Sequence, residues 1–558
     1  MGGTVDPVGA SSRLEPASKV DASSDCRASE AVAGGTPARS SLRPAATALG
    51  VGTAGTVIAS FLYLVYGYVF SNGLCCGDDA FIAVAAKNLA QGRGYATSLS
   101  ATAGNGLHPF DPALSTGPTL VLPAAAIIKV FGATPWAPGL ATALVTTALL
   151  TMIAFVLGHW VGPVRTLGYI AVMLTLMYTV TAGSRFTNWY SLLGEVPAAM
   201  LTILGVALFV LRPGKRRTVA WAFLALGLAF MTKALALLSV VPVTIWLLVP
   251  LARSKGRNAR QWTDLAVGAA AFSLPFLLFE TWKLSSLGVD AYLANWHDFI
   301  VFLVNSGSGH TGSVWDRVVT NSAVLQSEYG FGPIALLLVI IALAAIVHTY
   351  ADHKIRTFCW LLLTCGATYI AWFIFSSAGN PRYAMIGVLL LAASAACVAV
   401  ARPPGLAISA AVAVVAIAVV PAHSRVLVPV DAVRNGDMFR PTQRVVNLKT
   451  TADFLTKVQH KDPFVGDWWA TVADLEYALP TFSNFVSVQE VRPAEMHNGR
   501  LLARNTIWTQ LATSPLFTTW EATCKKVLLS APPYLVTQCP QSGTSDQQRK
   551  GTSPLVAK

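Results

Sequence analysis

Two adjacent carboxylates, Asp78 and Asp79, stand in the run Cys75-Cys76-Gly77-Asp78-Asp79-Ala80-Phe81-Ile82, directly after the first apolar stretch of membrane-crossing length. Acids are scarce through the apolar two-thirds of the chain, so a pair kept at this depth needs a structural or a chemical reason. One aspartate at a helix start caps free amides and is favoured by the helix dipole. The second is then available to accept a proton from a sugar hydroxyl or to hold a cation. The helix they open is predicted to run to about Gln91, with Phe81, Ile82, Ala85 and Leu89 on its apolar face and Lys87 and Asn88 on the other. Gly92 and Gly94 end it.

Other residues with chemical potential fall into the same region or its flanks. His108 and Asp111 lie in Asn105-Gly106-Leu107-His108-Pro109-Phe110-Asp111-Pro112, and Thr116 lies in Leu114-Ser115-Thr116-Gly117-Pro118-Thr119. The glycines and prolines there fix turns that let backbone amides approach a ligand, which makes these three residues substrate-binding candidates. Glu195 is the only acid between Asp111 and Asp264, and Arg185 is its candidate partner. Lys233 separates two apolar runs whose far ends are basic, and Arg382 follows a short polar turn. Both are cations suited to a lipid phosphate, with snorkelling to the interface as the plain alternative. Together these residues suit sugar transfer from a lipid phosphate carrier, in which a carboxylate activates the acceptor and cations stabilise the departing phosphate. No metal ligand set is evident, because the eight cysteines show no zinc-type spacing; a divalent cation is the one cofactor left open.

The elements that must position these residues are membrane helices. The chain has 558 residues, of which 54% are hydrophobic and 12% charged, and recurrent apolar runs of about 17 to 25 residues suffice to cross a ~30 Å hydrocarbon layer. No strand-like alternation runs through them, which excludes a barrel. The net charge is +13, and its basic residues sit in short loops between apolar runs, notably at Arg212 to Arg217, Arg253 to Arg260 and Lys354 to Arg356. That distribution marks a cytoplasmic side and excludes a nucleic-acid partner.

Residues 1–46 read as a disordered cytoplasmic tail, 47–421 as a multi-span domain with an outer loop over 72–117, and 422–558 as a soluble extracytoplasmic α/β domain. Spans are expected near 52–71, 138–158, 165–182, 191–211, 218–232, 234–252, 265–283, 331–349, 357–376, 381–401 and 405–421. The segment 118–132 is expected to be re-entrant or interfacial, and 284–329 to be an outer loop. The count is about eleven to thirteen transmembrane helices. Cys524 and Cys539, both placed outside the cytoplasm, form a candidate disulfide. Cys75 and Cys76 read as small residues packed near the interface, and Trp468, Trp469, Phe464, Tyr477 and Phe482 as core of the last domain.

Over residues 50–400 the chain resembles the GT-C superfamily of polyprenyl-phosphate-sugar-dependent glycosyltransferases, of the protein O-mannosyltransferase and lipid A aminoarabinose transferase type. The matching stretches are Gly77-Asp78-Asp79-Ala80-Phe81-Ile82, Asn88 to Tyr95, Phe110-Asp111-Pro112, Ser115 to Thr119, Thr232-Lys233 and Pro381-Arg382-Tyr383. The resemblance implies an all-α polytopic fold and a catalytic base at Asp78. It also implies a polyprenyl-phosphate sugar donor, an envelope glycan, lipid or protein acceptor, and a site facing the exterior of the cytoplasmic membrane. Two departures stand out. The pair is Asp-Asp where the mannosyltransferases have Asp-Glu, and Thr116-Gly117-Pro118 replaces the Lys-Pro-Pro of the aminoarabinose enzymes, which assigns the phosphate lysine to Lys233. A lipid-linked glycan flippase or secondary transporter is the alternative; it calls for internal repeats and charges near mid-membrane, and no convincing repeat is present.

Overall fold

The computed structural model describes residues 42–98, 106–181, 183–211, 215–253, 259–307, 313–330, 345, 348–349, 353–400, 437–458, 464–466, 469–481, 484–487, 499–509 and 515–540. The predicted spans at 331–349 and 405–421 fall largely or wholly outside these, as do most of the tail, Trp468 and Phe482.

The chain enters on α1 (Leu42–Asn72), turns at 73–76, and starts α2 (Gly77–Ala90). A two-residue antiparallel hairpin, β1 (Ala96–Thr97) and β2 (His108–Pro109), follows in the outer loop. Seven apolar helices come next: α3 (Pro118–Phe131), α4 (Ala137–Val161), α5 (Pro163–Thr181), α6 (Glu195–Leu211), α7 (Arg216–Thr232), α8 (Leu237–Arg253) and α9 (Ala259–Leu287). Then come α10 (Val289–Gly307), α11 (Val314–Tyr329), α12 (His353–Ser376) and α13 (Met385–Ala395). Among the described residues six helices are long and apolar enough to cross a membrane, and three apolar helices are shorter, α3 among them. The protein is a multi-pass membrane protein. With 14 residues, α3 rises about 21 Å, short of a ~30 Å hydrocarbon layer.

One apolar core joins the helices. Phe61 and Val65 of α1, Ile153 of α4, Met173 of α5, Ile203 of α6, Leu226 of α7, Leu361 of α12 and Leu389 of α13 are all buried in it. A second core lies under the outer loop, where Phe81 and Val84 of α2 and Leu120 of α3 share a cluster with Leu455, Phe464, Tyr477 and Val536 of the C-terminal segment. That segment is α/β: a mixed sheet in the order β4-β3-β5-β7-β6, from β3 (Phe464–Gly466), β4 (Phe485–Ser487), β5 (Leu501–Asn505), β6 (Lys526–Ala531) and β7 (Tyr534–Gln538). It is flanked by α14 (Gln443–Val458) and α15 (Trp469–Ala478). Cys524 and Cys539 are joined as a disulfide beside the buried Trp520.

Residues 284–329, expected as an outer loop, are helical over α10 and α11. The start of α11 is written in the sequence as Ser313-Val314-Trp315-Asp316, a reciprocal capping box in which the Ser313 hydroxyl accepts from the Asp316 amide. The supposed polar face of α2 is also covered: Lys87 and Asn88 are fully buried. The reason is α15, which packs along α2 and turns its C-terminal carbonyls toward Lys87. The ammonium donates to the carbonyls of Glu476 at 2.5 Å, Leu479 at 2.9 Å and Thr481 at 3.0 Å. A buried cation is tolerable only with such partners, and helix C-termini favour one.

Candidate active site

Three short connections converge. Gly117 sits so close to the end of α7 that a Cβ on it would meet the Met231 carbonyl oxygen at 2.0 Å, and its amide donates to Thr232 O at 3.2 Å. Beside it, the Thr116 hydroxyl donates to Leu193 O at 2.9 Å. Gly194, at φ 88, makes the turn into α6 against the same Thr232 carbonyl. These glycines bring Ser115-Thr116-Gly117, Leu193-Gly194-Glu195 and Thr232-Lys233 into one place.

Charged groups form a chain through it. Lys233 lies 3.2 Å from Glu195 and donates to Leu193 O at 2.9 Å and Ser115 Oγ at 3.2 Å. Arg382 approaches Glu195 at 3.5 Å with Nε and donates from an outer guanidinium nitrogen to Asp78 at 2.5 Å. Exposure grades along it: Glu195 is wholly buried, Lys233 4% and Arg382 12% exposed, and Asp78, at 38%, is the accessible end. Glu195 opens α6, where the helix dipole favours its charge. Its described partners are Lys233 and Arg382; the side chain of Arg185, its expected partner, lies outside the described residues.

Asp79 faces the other way. One oxygen accepts from the Cys75 amide at 2.8 Å and the other from the Leu192 amide at 2.7 Å. It ties the start of α2 to the turn before Glu195. Burial pushes its carboxyl up to about 6, against the opposing pull of those amides and of the Arg444 charge. A carboxyl raised in the folded state contributes stability that is complete below its ordinary value of 3.8 and is lost as pH rises through about 6. Between pH 4 and 7 the denaturant stability of Asp79→Asn is therefore expected to gain up to about 3 kcal/mol relative to the parent protein in detergent. A pH-independent difference would contradict this.

The remaining candidates hold the loop. Asp111 accepts from the Thr97 hydroxyl at 2.6 Å and the Ala113 amide at 2.8 Å, pinning the turn after β2. His108 pairs with Thr97 in the hairpin, and its Nε2 has no hydrogen-bond partner among the described residues. Neither residue belongs to the charged chain, and Thr116 belongs only through its hydroxyl bond to Leu193.

Sequence reasoning missed the groups that seat Arg382. The buried Asn321 amide donates to the carbonyls of Phe373 at 2.7 Å, Ser377 at 3.1 Å and Ile374 at 3.3 Å, closing the end of α12. The Tyr329 hydroxyl donates to Pro381 O at 2.7 Å, one residue before Arg382. Leu325 and Tyr329 share a core with Phe373, Ala384 and Val388, so α11 bolts this turn in place. The signal for it was the capping box. Tyr329→Phe removes one hydroxyl without changing volume, and, on the sequence-based expectation that Arg382 meets a lipid phosphate, should raise the apparent Kd for a polyprenyl phosphate about 3- to 10-fold. In an Arg382→Ala background the same change should add nothing, and an additive loss would contradict a role through Arg382.

A crystal structure of ArnT from Cupriavidus metallidurans bound to undecaprenyl phosphate matches with a TM-score of 0.55 at 13% identity, covering 87% of this chain and 98% of that one. The chain has the fold of ArnT. The apo structure of the same ArnT matches at a TM-score of 0.50 and 14% identity with the same coverage, 87% and 98%. At such identity the likeness is one of fold. By sequence, neither a family model nor a curated protein matches the chain.

Proposed function

We propose that this protein is a membrane glycosyltransferase that moves a sugar from a polyprenyl-phosphate donor to a cell-envelope acceptor on the extracytoplasmic face. The observation that carries this reading is the chain Asp78, Arg382, Glu195, Lys233, which sets an accessible carboxylate beside two cations held by a buried acid. The acceptor hydroxyl attacks the anomeric carbon as the carbon–oxygen bond to the phosphate breaks. Asp78 takes the hydroxyl proton, and the polyprenyl phosphate leaves with its charge met by Arg382 and Lys233. One displacement inverts the anomeric centre. Without donor, Arg382 rests on Asp78; a phosphate arriving there competes for the guanidinium and frees the carboxylate to accept a proton.

ArnT was crystallised with undecaprenyl phosphate, which supports a donor of that lipid class. The test is transfer by the protein in proteoliposomes, offered radiolabelled polyprenyl-monophosphoryl pentoses and hexoses with an envelope extract. The expected result is sugar release and acceptor labelling that depend on Asp78. Donor movement across the bilayer with no release of sugar would replace this reading with the transporter one.

A further inference from the structure

Cys75 and Cys76 play no part in the proposed displacement, and their surroundings give them a chemistry of their own. They are adjacent, partly exposed, and have their sulfurs within 2.7 Å of each other. Their stretch is held directly by the C-terminal segment: the Thr442 amide donates to Ser71 O at 2.8 Å, and Arg444 donates to Asn72 O at 2.9 Å and to Leu74 O. That segment carries the Cys524–Cys539 disulfide. The adjacent thiols therefore face the same side of the membrane as a bond that persists only where the surroundings are oxidising. The other three free cysteines in the described residues, Cys359, Cys365 and Cys397, are buried among the membrane helices.

We propose that Cys75 and Cys76 are a redox modification site, closing to a vicinal disulfide by exchange with a protein or small-molecule disulfide. The exchange is written from Cys76. Its thiolate displaces one sulfur of the oxidant and forms a mixed disulfide. Cys75, having lost its proton, then displaces the second sulfur. Two S–H bonds and the oxidant's S–S bond are lost; one S–S bond between Cys75 and Cys76 and two oxidant thiols are formed. The neighbouring thiol is present at a far higher effective concentration than any in solution, so the mixed disulfide does not accumulate.

The ring sits where it bears on the site. The Cys75 amide holds Asp79, and the Cys76 carbonyl accepts from the Ala80 amide at 3.0 Å in the first turn of α2. Closing it fixes the backbone that presents Asp78. The modification itself does not depend on the transferase reading.

The test uses full-length protein in detergent, incubated with reduced or oxidised glutathione, acid-quenched, alkylated and cleaved by trypsin. Cys75 and Cys76 are the only cysteines in the tryptic peptide that ends at Lys87. After oxidised glutathione that peptide is expected to lose two hydrogen masses and take no alkyl label, and reduction should restore two labels. Cys75→Ser and Cys76→Ser should each leave a glutathione adduct on the remaining thiol. Two labels persisting in the parent protein after oxidation, or stable glutathione adducts in place of the ring, would overturn the proposal.

Discussion

Asp78→Asn is expected to cut sugar transfer by at least about 100-fold, the lower end of what a positioned general base contributes, while the protein still folds and inserts. Asparagine has nearly the same shape, and the ion pair it removes ends in a carboxylate that is 38% exposed, where such pairs contribute at most about 1 kcal/mol. The variant should retain polyprenyl phosphate, since Arg382 no longer divides itself between Asp78 and the ligand. Lost transfer with retained donor binding is thus the signature to look for. Near-normal transfer by Asp78→Asn would remove the base from the mechanism. Loss of transfer together with donor binding would make Asp78 a scaffold for Arg382 instead.

Glu195→Ala carries the second large effect, and it falls on stability and binding together. The wholly buried carboxylate faces Lys233 at 3.2 Å and Arg382 at 3.5 Å, so its removal strands two cations, of which among the described residues only Arg382 keeps an ion-paired acid, Asp78. Breaking a buried pair from one side typically costs about 3–5 kcal/mol, because the charge left behind is neither hydrated nor compensated. The expected readout is a markedly lower unfolding temperature in detergent. Donor binding weakens as well, since Glu195 is what points both cations to one place. The double variant Glu195→Ala with Lys233→Met removes the stranded ammonium and should recover part of the lost stability. Failure of any recovery would mean that Glu195 acts through packing and not through charge.

Much of this arrangement was legible in the chain. Apolar runs and basic short loops set out the membrane helices, and scarcity of acids singled out Asp78, Asp79 and Glu195 before any coordinate. Scarcity says which residues need an explanation, but not which way each one faces. Asp79 and Asp78 are neighbours in sequence, yet one is locked by the amides of Cys75 and Leu192 while the other meets Arg382. That division depends on long-range packing of Leu192 against α2, which has no local signature. Lys87 was misread for a similar reason. Its face of α2 looks solvated by periodicity, and only the arrival of α15, nearly 400 residues later, covers it. Glu195 was paired by proximity in sequence with Arg185, whose side chain lies outside the described residues, and its described partners, Lys233 just after α7 and Arg382 in the turn before α13, are brought to it only by the fold.

The central claim is that Lys233 and Arg382 seat the phosphate of a polyprenyl donor beside Asp78. The most direct measurement is a structure of the full-length protein with undecaprenyl phosphate bound. The account predicts phosphate oxygens within hydrogen-bond distance of Lys233 Nζ and the Arg382 guanidinium, with the Asp78–Arg382 contact loosened. A phosphate seated elsewhere, such as on the basic loop at Lys215 to Arg217, with the four-residue charge chain undisturbed, would contradict it.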